Sequence, residues 1–186
     1  MISNVPGLLL AIKTADCVPV LVADVEQRAV GAFHAGWRGT VARVVEKGIG
    51  EMRRQFGSNP ENLRAAIGPS IRKCCYFVGT EVRAEFESQF SYAAELFEEV
   101  FHSNQIHARY PLLFLNQRAP GHGEFGPKIH LDLIAANTRQ LREAGVQDRN
   151  ISIVEGCTAC DTNRFFSHRA EFAKTGRMMA AIGIRL

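Results

Sequence analysis

Three short apolar runs lie within the first 33 residues, and each has the length of a β-strand rather than of a helix. They cover 8–13, 18–23 and 29–33, and a turn or polar residue follows each of them. The polar connection 24–27 predicts a hairpin or another tight link between the last two runs. Several strands in a row favour an α/β (α+β) sandwich of mixed sheets with flanking helices over a regular βαβ array.

The rest of the chain combines helical periodicity with short strand-like runs. Apolar residues three or four apart predict a helix that begins at an N-cap Thr40 and ends near Gly57. Other helices are predicted over 80–90, 93–101 and 132–144, and other strands over 63–67, 151–154 and 178–184. The most loop-like stretch is 110–128. No linker divides the chain, so we expect residues 1–186 to form one domain.

Composition excludes several classes of function. The net charge is only +3, from 22 basic and 19 acidic residues, and no basic run is long enough to indicate a nucleic-acid partner. No apolar stretch approaches the roughly 18 residues that would predict a membrane span. The five cysteines are odd in number and two are adjacent, which is a poor disulfide framework and predicts a reducing, cytoplasmic compartment.

The first candidate site residues are Cys17 and His34. They lie at the ends of neighbouring predicted strands, and a thiolate and an imidazole are good ligands for zinc or copper. Two ligands do not define a metal site, however. A buried small apolar cysteine and a hydrogen-bonding structural histidine explain the same two residues.

The next candidates are Trp37 and Arg38, in a turn between Gly36 and Gly39 that leads from a strand into a helix. Backbone N–H groups and the helix dipole at such a turn favour an anion, which Arg38 would hold while Trp37 stacks or shapes the site. The alternative is a tight turn with Trp37 in the core.

Two C-terminal segments also have two interpretations each. Cys157 and Cys160 have metal-ligand spacing, but a matching second pair is needed and Cys74-Cys75 does not provide it, so packing is favoured. Further on, a group of basic residues around a serine indicates either a phosphate site or a solvated edge. That group comprises Arg164, Ser167, His168, Arg169 and Arg177. The other histidines are scattered through polar or loop sequence: His102, His107, His122 and His130.

Several motifs, in one order along nearly the whole chain, resemble a known family. They are Thr14-Ala15-Asp16-Cys17-Val18-Pro19-Val20, His34-Ala35-Gly36-Trp37-Arg38-Gly39, Ile67-Gly68-Pro69-Ser70-Ile71 with Cys74-Cys75-Tyr76, Leu131-Asp132-Leu133 with Asn137, and Cys157-Thr158 with Phe165-Phe166-Ser167-His168-Arg169 and Gly176-Arg177. On these residues the chain is similar to the YfiH-like family, also called the laccase-domain or multicopper polyphenol oxidoreductase family.

This resemblance implies a compact α/β sandwich with a zinc site, sometimes described with copper, that is held by one Cys and two His. It also implies purine nucleoside phosphorylase activity on adenosine, inosine and methylthioadenosine, with adenosine deaminase as a second activity. Purine nucleoside and phosphate are therefore the expected partners. A copper-dependent, laccase-like polyphenol oxidase and a degenerate form that only binds ligand are the alternatives.

Mapped onto this sequence, the resemblance makes Cys17 and His34 metal ligands. The candidate catalytic residues are Cys17, His34, Asp16 and Arg38, and the candidate substrate and phosphate residues are Arg38, Trp37, Arg169 and Ser167. Asp16 would orient the ligands from outside the coordination sphere. The family's other ligand histidine belongs to an N-terminal segment, so we expect the chain to be N-terminally truncated relative to the family. Ala170 stands where the family often has a second arginine.

Overall fold

The computed structural model describes residues 1–100 and 128–186. The strands there are β1 (Ile2–Ser3), β2 (Leu9–Thr14), β3 (Val18–Asp24), β4 (Ala29–Ala35), β5 (Arg64–Ile67), β6 (Phe77–Val78), β7 (Phe97–Val100), β8 (Lys128–Leu131), β9 (Ile151–Ile153) and β10 (Met178–Gly183). The helices are α1 (Trp37–Val41), α2 (Val44–Phe56), α3 (Thr80–Gln89) and α4 (Leu133–Glu143). Short 3-10 turns cover Pro60–Asn62, Ala93–Leu96 and Asp148–Asn150.

These strands form three sheets. The central sheet has the order β1-β4-β3-β5-β9, a second sheet pairs β10 with β2, and a third has the order β6-β8-β7. The predicted hairpin is confirmed, because β3 and β4 pair antiparallel from Val18–Ala35 to Asp24–Ala29. β5 and β9 run parallel. The predicted α/β sandwich of mixed sheets with flanking helices is confirmed.

Both faces of the central sheet are covered, because successive side chains of a strand point to opposite faces. On one face, the fully buried Val18, Val20 and Val22 belong to the main core with residues of the helices. On the other face, Ala32 and Val30 pack against the sheet of β2 and β10. The functional candidates Cys17 and His34 lie where this two-sided packing ends, at one end of β3 and β4.

The predicted helix from Thr40 to Gly57 is wrong at its start. A helix already begins after Gly36, stops at Val41, and restarts only after Arg43, whose φ of 57° is left-handed. Thr40 is therefore not an N-cap: its hydroxyl donates to the Gly36 carbonyl oxygen at 3.0 Å. The C-terminal end at Gly57 is confirmed, with a φ of 70° that glycine adopts readily.

The helix predicted over 93–101 is also wrong within the described residues. A 3-10 turn covers Ala93–Leu96, and the chain then forms β7, which pairs with β8 from Phe97–Leu131 to Val100–Lys128. Pairing with a strand distant in sequence therefore overrides the local helical pattern here. Of the predicted loop 110–128, only Lys128 is described, and it begins β8. His102, His107 and His122 lie outside the described residues.

Candidate active site

Cys17 and His34 belong to the same end of the β3–β4 pair. His34 pairs with Pro19, and Val18 pairs with Ala35, so Cys17 comes opposite Gly36. A carbon added at Gly36 would lie 2.9 Å from the Cys17 Sγ, which places that sulfur over the glycine. Strand alternation then puts the Cys17 and His34 side chains on one face of the sheet as diagonal neighbours.

The surroundings of Cys17 disfavour its ionised form in the protein without metal. Cys17 is half-buried, while His34 is exposed. Burial raises the pKa of the Cys17 thiol, the charge of Asp16 raises it further, and Arg177 opposes them. A bound cation would reverse this balance, because metal ligation requires the thiolate.

Asp16 forms hydrogen bonds that join distant segments of the chain to this end of the sheet. Its backbone has a left-handed φ of 85° and its side chain is buried. Its Oδ1 accepts a hydrogen bond from the Thr158 hydroxyl at 2.6 Å, and its Oδ2 accepts one from the Arg169 backbone N–H at 2.7 Å. Its carbonyl oxygen accepts from the Ile71 N–H at 2.9 Å. Both carboxylate oxygens therefore hold the C-terminal segments that carry the other candidates.

Arg169 and Ser167 have different surroundings. The Arg169 guanidinium donates to the Phe77 carbonyl oxygen at 2.9 Å, and its Cζ lies 4.4 Å from the Phe77 ring centre and 5.3 Å from that of Tyr76. Ser167 is fully buried, and its hydroxyl oxygen accepts from the Ala170 N–H at 3.0 Å. Ser167 thus shapes the turn that presents Arg169.

Trp37 and Arg38 stack on each other at the first turn of α1. The Arg38 Cζ lies 4.2 Å from the Trp37 ring centre, and the Arg38 side chain is exposed. Trp37 is half-buried and packs against the main core at its edge. From the sequence, the helix dipole is expected to attract an anion to this turn. Because α1 has only five residues, few peptide dipoles are aligned there and the effect is weak. The guanidinium itself is the group that can hold an anion here.

The side chains of Trp37, Arg38 and Arg169 line a cleft of about 870 Å³. Its walls carry three cations and three aromatic rings: Arg38, Lys128, Arg169, Trp37, Tyr76 and Phe77. Burial raises the pKa of Tyr76 to about 12; Cys17 adds to this, and Arg169 opposes it. Cys17 and His34 are not among the residues that line this cleft. The sequence motifs contained Tyr76 and Thr158 but gave them no role.

The other basic candidates do not share this cleft. Arg164 is exposed, forms an ion pair with Asp161 at 3.4 Å and stacks on Phe165. The Arg177 guanidinium donates to the carbonyl oxygens of Thr175 and Gly176. His130 is buried in β8, with its Nδ1 2.6 Å from the Lys73 carbonyl oxygen. Of the three arginines proposed as a phosphate site, Arg169 is the one that lines the cleft.

The conclusion that Cys74-Cys75 cannot complete a second metal-ligand set is wrong. Within the described ranges, one set of three or more Cys, His, Asp or Glu side chains has its ligand atoms close enough for one ion. It comprises Cys74, Cys75, Cys157 and Cys160. The prediction from sequence required two cysteine pairs of the same spacing. The fold shows that an adjacent pair, Cys74-Cys75, can also lie beside the pair Cys157 and Cys160. Cys17 and His34 provide two further potential ligands.

No helix in the described part of the chain combines the length and apolar character that a membrane span requires.

Known proteins similar to this chain cover nearly all of it. A purine nucleoside phosphorylase of Bacteroides thetaiotaomicron is 36% identical over 184 residues, 99% of this chain and 60% of that protein. Adenosine deaminase RL5, from an unknown prokaryotic organism, is 35% identical over 182 residues, 98% of this chain and 60% of that protein. The crystal structure of YlmD from Geobacillus stearothermophilus has a TM-score of 0.80 at 32% identity, covering 100% of this chain and 60% of that one.

The chain thus spans about 60% of the length of the curated relatives that it matches. The family model described as multi-copper polyphenol oxidoreductase laccase matches residues 1–185. With a match over almost every residue and the same fold in a solved relative, this chain belongs to the multi-copper polyphenol oxidoreductase laccase family.

Proposed function

We propose that this chain contributes the active site of a metal-dependent purine nucleoside phosphorylase, with adenosine deamination as a second activity. The observation that carries the proposal is the cleft whose lining combines the cations Arg38, Arg169 and Lys128 with three aromatic rings and a single carboxylate, that of Glu81. A purine nucleoside offers a flat base to such rings, and phosphate offers charge to the cations. The names of the relatives, purine nucleoside phosphorylase and adenosine deaminase, support the same substrate class.

In phosphorolysis, a phosphate oxygen attacks C1′ of the nucleoside as the bond from C1′ to the purine breaks. The bonding electron pair leaves with the purine, which then takes a proton. Arg38 and Arg169 would hold the phosphate by charge-assisted hydrogen bonds and fix it against the sugar. Asp16 is a positioning residue in this scheme, because it fixes the backbone of Arg169 and directly precedes Cys17.

Cys17 and His34 suit a zinc or copper ion as two of its ligands. Sulfur and imidazole nitrogen are good donors for both metals, and Gly36 has no side chain that would crowd the Cys17 sulfur. When bound, the metal supplies the Lewis acidity that activates water, which deamination at the purine C6 requires. We propose zinc as the metal and copper as the alternative.

Two rival functions predict different behaviour. A blue-copper polyphenol oxidase needs a trigonal site of two histidines and one cysteine, and Cys17 with His34 provides one of each. Copper-dependent oxidation of a phenol that zinc cannot restore would favour that rival. Stoichiometric nucleoside binding without turnover would favour a binding-only form.

The test is to incubate the purified protein, reconstituted with zinc, with inosine and phosphate. We expect hypoxanthine and ribose 1-phosphate to form. Arg38→Ala should raise the KM for phosphate by roughly 10- to 100-fold, the effect of losing one charge-assisted hydrogen bond. Arg139→Ala is the matched control, because Arg139 stacks on Tyr92 at 4.8 Å outside the cleft. If no hypoxanthine forms with zinc present, the chain is not a phosphorylase.

A further inference from the structure

Four of the five cysteines converge on one place in the fold. Cys74 and Cys75 lie in the turn before β6, and Cys157 and Cys160 follow β9. Their four Sγ atoms all lie within 4.8 Å of one another. This four-cysteine cluster does not include Cys17, and the function proposed above makes no use of it.

The separations of the sulfur atoms in the four-cysteine cluster fit a single ion. The Cys74 Sγ lies 3.7 Å from that of Cys75 and 3.6 Å from that of Cys160, and the Cys75 and Cys160 Sγ atoms are 3.3 Å apart. A zinc ion with Zn–S bonds of about 2.3 Å places its four sulfurs about 3.8 Å apart at the corners of a tetrahedron. A disulfide requires about 2.05 Å, and all four cysteines are free.

Backbone hydrogen bonds order the turn around Cys157. The Arg72 N–H donates to the Cys157 Sγ at 3.4 Å. The N–H groups of Cys160 and Asp161 both donate to the Cys157 carbonyl oxygen at 3.1 Å, which closes the turn between the two ligands. These hydrogen bonds fix the backbone of the turn that carries Cys157 and Cys160.

Other contacts hold the two cysteine-bearing segments together independently of the thiols. The Arg72 guanidinium donates to the carbonyl oxygens of Gly156 at 3.1 Å and Val154 at 2.8 Å. Ser70 and Cys157 form an isolated parallel bridge. Because the backbone fixes the approach of the segments, the convergence of four sulfurs is a property of the fold and not of flexible side chains.

Donor type and spacing identify the metal class. Four sulfurs in a tetrahedral arrangement are typical of zinc or of an iron–sulfur centre. A [4Fe–4S] or [2Fe–2S] cluster distributes its thiolates over several irons, so the sulfurs must stand further apart than around one ion. Four protein ligands also leave no open position for substrate, which is characteristic of structural rather than catalytic zinc.

We infer that Cys74, Cys75, Cys157 and Cys160 bind one structural zinc ion, separate from the metal expected at Cys17 and His34. The ion would join the segment that leads into the cleft residues Tyr76 and Phe77 to the segment that carries Thr158. Its role is to position both segments against Asp16.

The test measures zinc per chain by elemental analysis of protein purified under reducing conditions without chelator. Cys160→Ser should lower the zinc content by one ion per chain, while the matched variant Cys17→Ser should retain that ion. In the unaltered protein, cobalt should replace zinc and give the intense absorption of a tetrahedral tetrathiolate centre. That absorption should persist in Cys17→Ser, so the result does not depend on whether the phosphorylase proposal is correct.

Three outcomes would overturn the inference. The first is a zinc content that Cys160→Ser and Cys74→Ser leave unchanged. The second is a disulfide between these cysteines, found by mass spectrometry in reductant-purified protein that carries no zinc. The third is a cobalt spectrum that lacks the tetrathiolate bands in the unaltered protein, which decides the matter even if a serine variant fails to fold.

Discussion

Replacing Asp16 should reveal how strongly one buried carboxylate holds the site together. Asp16→Ala removes the acceptor of the Thr158 hydroxyl and of the Arg169 N–H. A buried donor left without a partner costs about 1–3 kcal/mol, and because the Arg169 N–H is only half-buried, the two donors together cost at most about 2–6 kcal/mol. The left-handed φ of 85° adds roughly 1 kcal/mol for alanine, which tolerates it less well than aspartate does.

Asp16→Asn and Asp16→Gly separate these contributions. Asparagine tolerates the left-handed backbone, and its amide can accept from the Arg169 N–H while donating to the Thr158 oxygen. We therefore expect a loss of only about 1 kcal/mol, from the missing charge. Glycine relieves the backbone strain but not the unpaired donors, so Asp16→Gly should be about 1 kcal/mol more stable than Asp16→Ala.

The assay is urea unfolding followed by circular dichroism, with phosphorolysis measured on the same samples. Asp24→Ala is the matched control, since the buried Asp24 also accepts two hydrogen bonds, from the N–H groups of Glu26 and Gln27. That variant should lose stability but keep the KM for phosphate, while Asp16→Ala should raise it. If Asp16→Ala and Asp16→Asn unfold within about 0.5 kcal/mol of each other, the hydrogen-bond argument is wrong.

The remaining predictions concern the packing at two glycines, the zinc, and the phenols of Tyr76 and Tyr92. Gly36→Ala should reduce activity at least tenfold and stability by about 1–3 kcal/mol, because the new methyl meets the Cys17 sulfur at 2.9 Å. Gly50→Ala, with open space around it, should instead stabilise α2 by about 0.5–1 kcal/mol in the same unfolding assay, and a loss there would contradict the argument. Stripping zinc from the four-cysteine cluster should lower the Tm measured by calorimetry by roughly 8–16 °C, since an ion at 1,000 times its Kd contributes about 4 kcal/mol; an unchanged Tm would mean that the ion is not structural. Burial raises the pKa of both Tyr76 and Tyr92 to about 12. Both phenols therefore hold their protons more tightly in the folded than in the unfolded chain. Their contribution to the free energy of unfolding should be constant below pH 10 and should fall as pH rises from about 10 to about 12.

The strands near the site were predictable because their apolar residues are contiguous and their turns are short. The runs 8–13, 18–23 and 29–33 became β2, β3 and β4 with shifts of one or two residues at their ends. The register that places Cys17 opposite Gly36 then follows from a hairpin with a short connection. The sequence alone therefore located this end of the sheet, and with it the first two candidate ligands.

The four-cysteine cluster could not be predicted in the same way, because its members belong to segments more than 80 residues apart. Local spacing describes only the pair Cys157 and Cys160. The adjacent pair Cys74-Cys75 reaches it through the bridge between Ser70 and Cys157, which depends on how β5 and β9 pair. Similarly, the sequence around Glu98 does not indicate that residues 97–100 form a strand, because that strand depends on pairing with β8.

The same tertiary contacts link the two proposed metal sites mechanically. Thr158 lies between two cysteines of the cluster and donates to Asp16, which directly precedes Cys17. Arg169 depends on Asp16 through its backbone and on Phe77 through its guanidinium, and Phe77 is two residues beyond Cys75. An ion in the four-cysteine cluster would thus restrain the Arg169 side of the cleft, where we propose that phosphate binds, from both attached segments. Loss of that ion should therefore disturb phosphate binding more than it disturbs the metal site at Cys17, because Cys17 is also fixed by the β3–β4 hairpin.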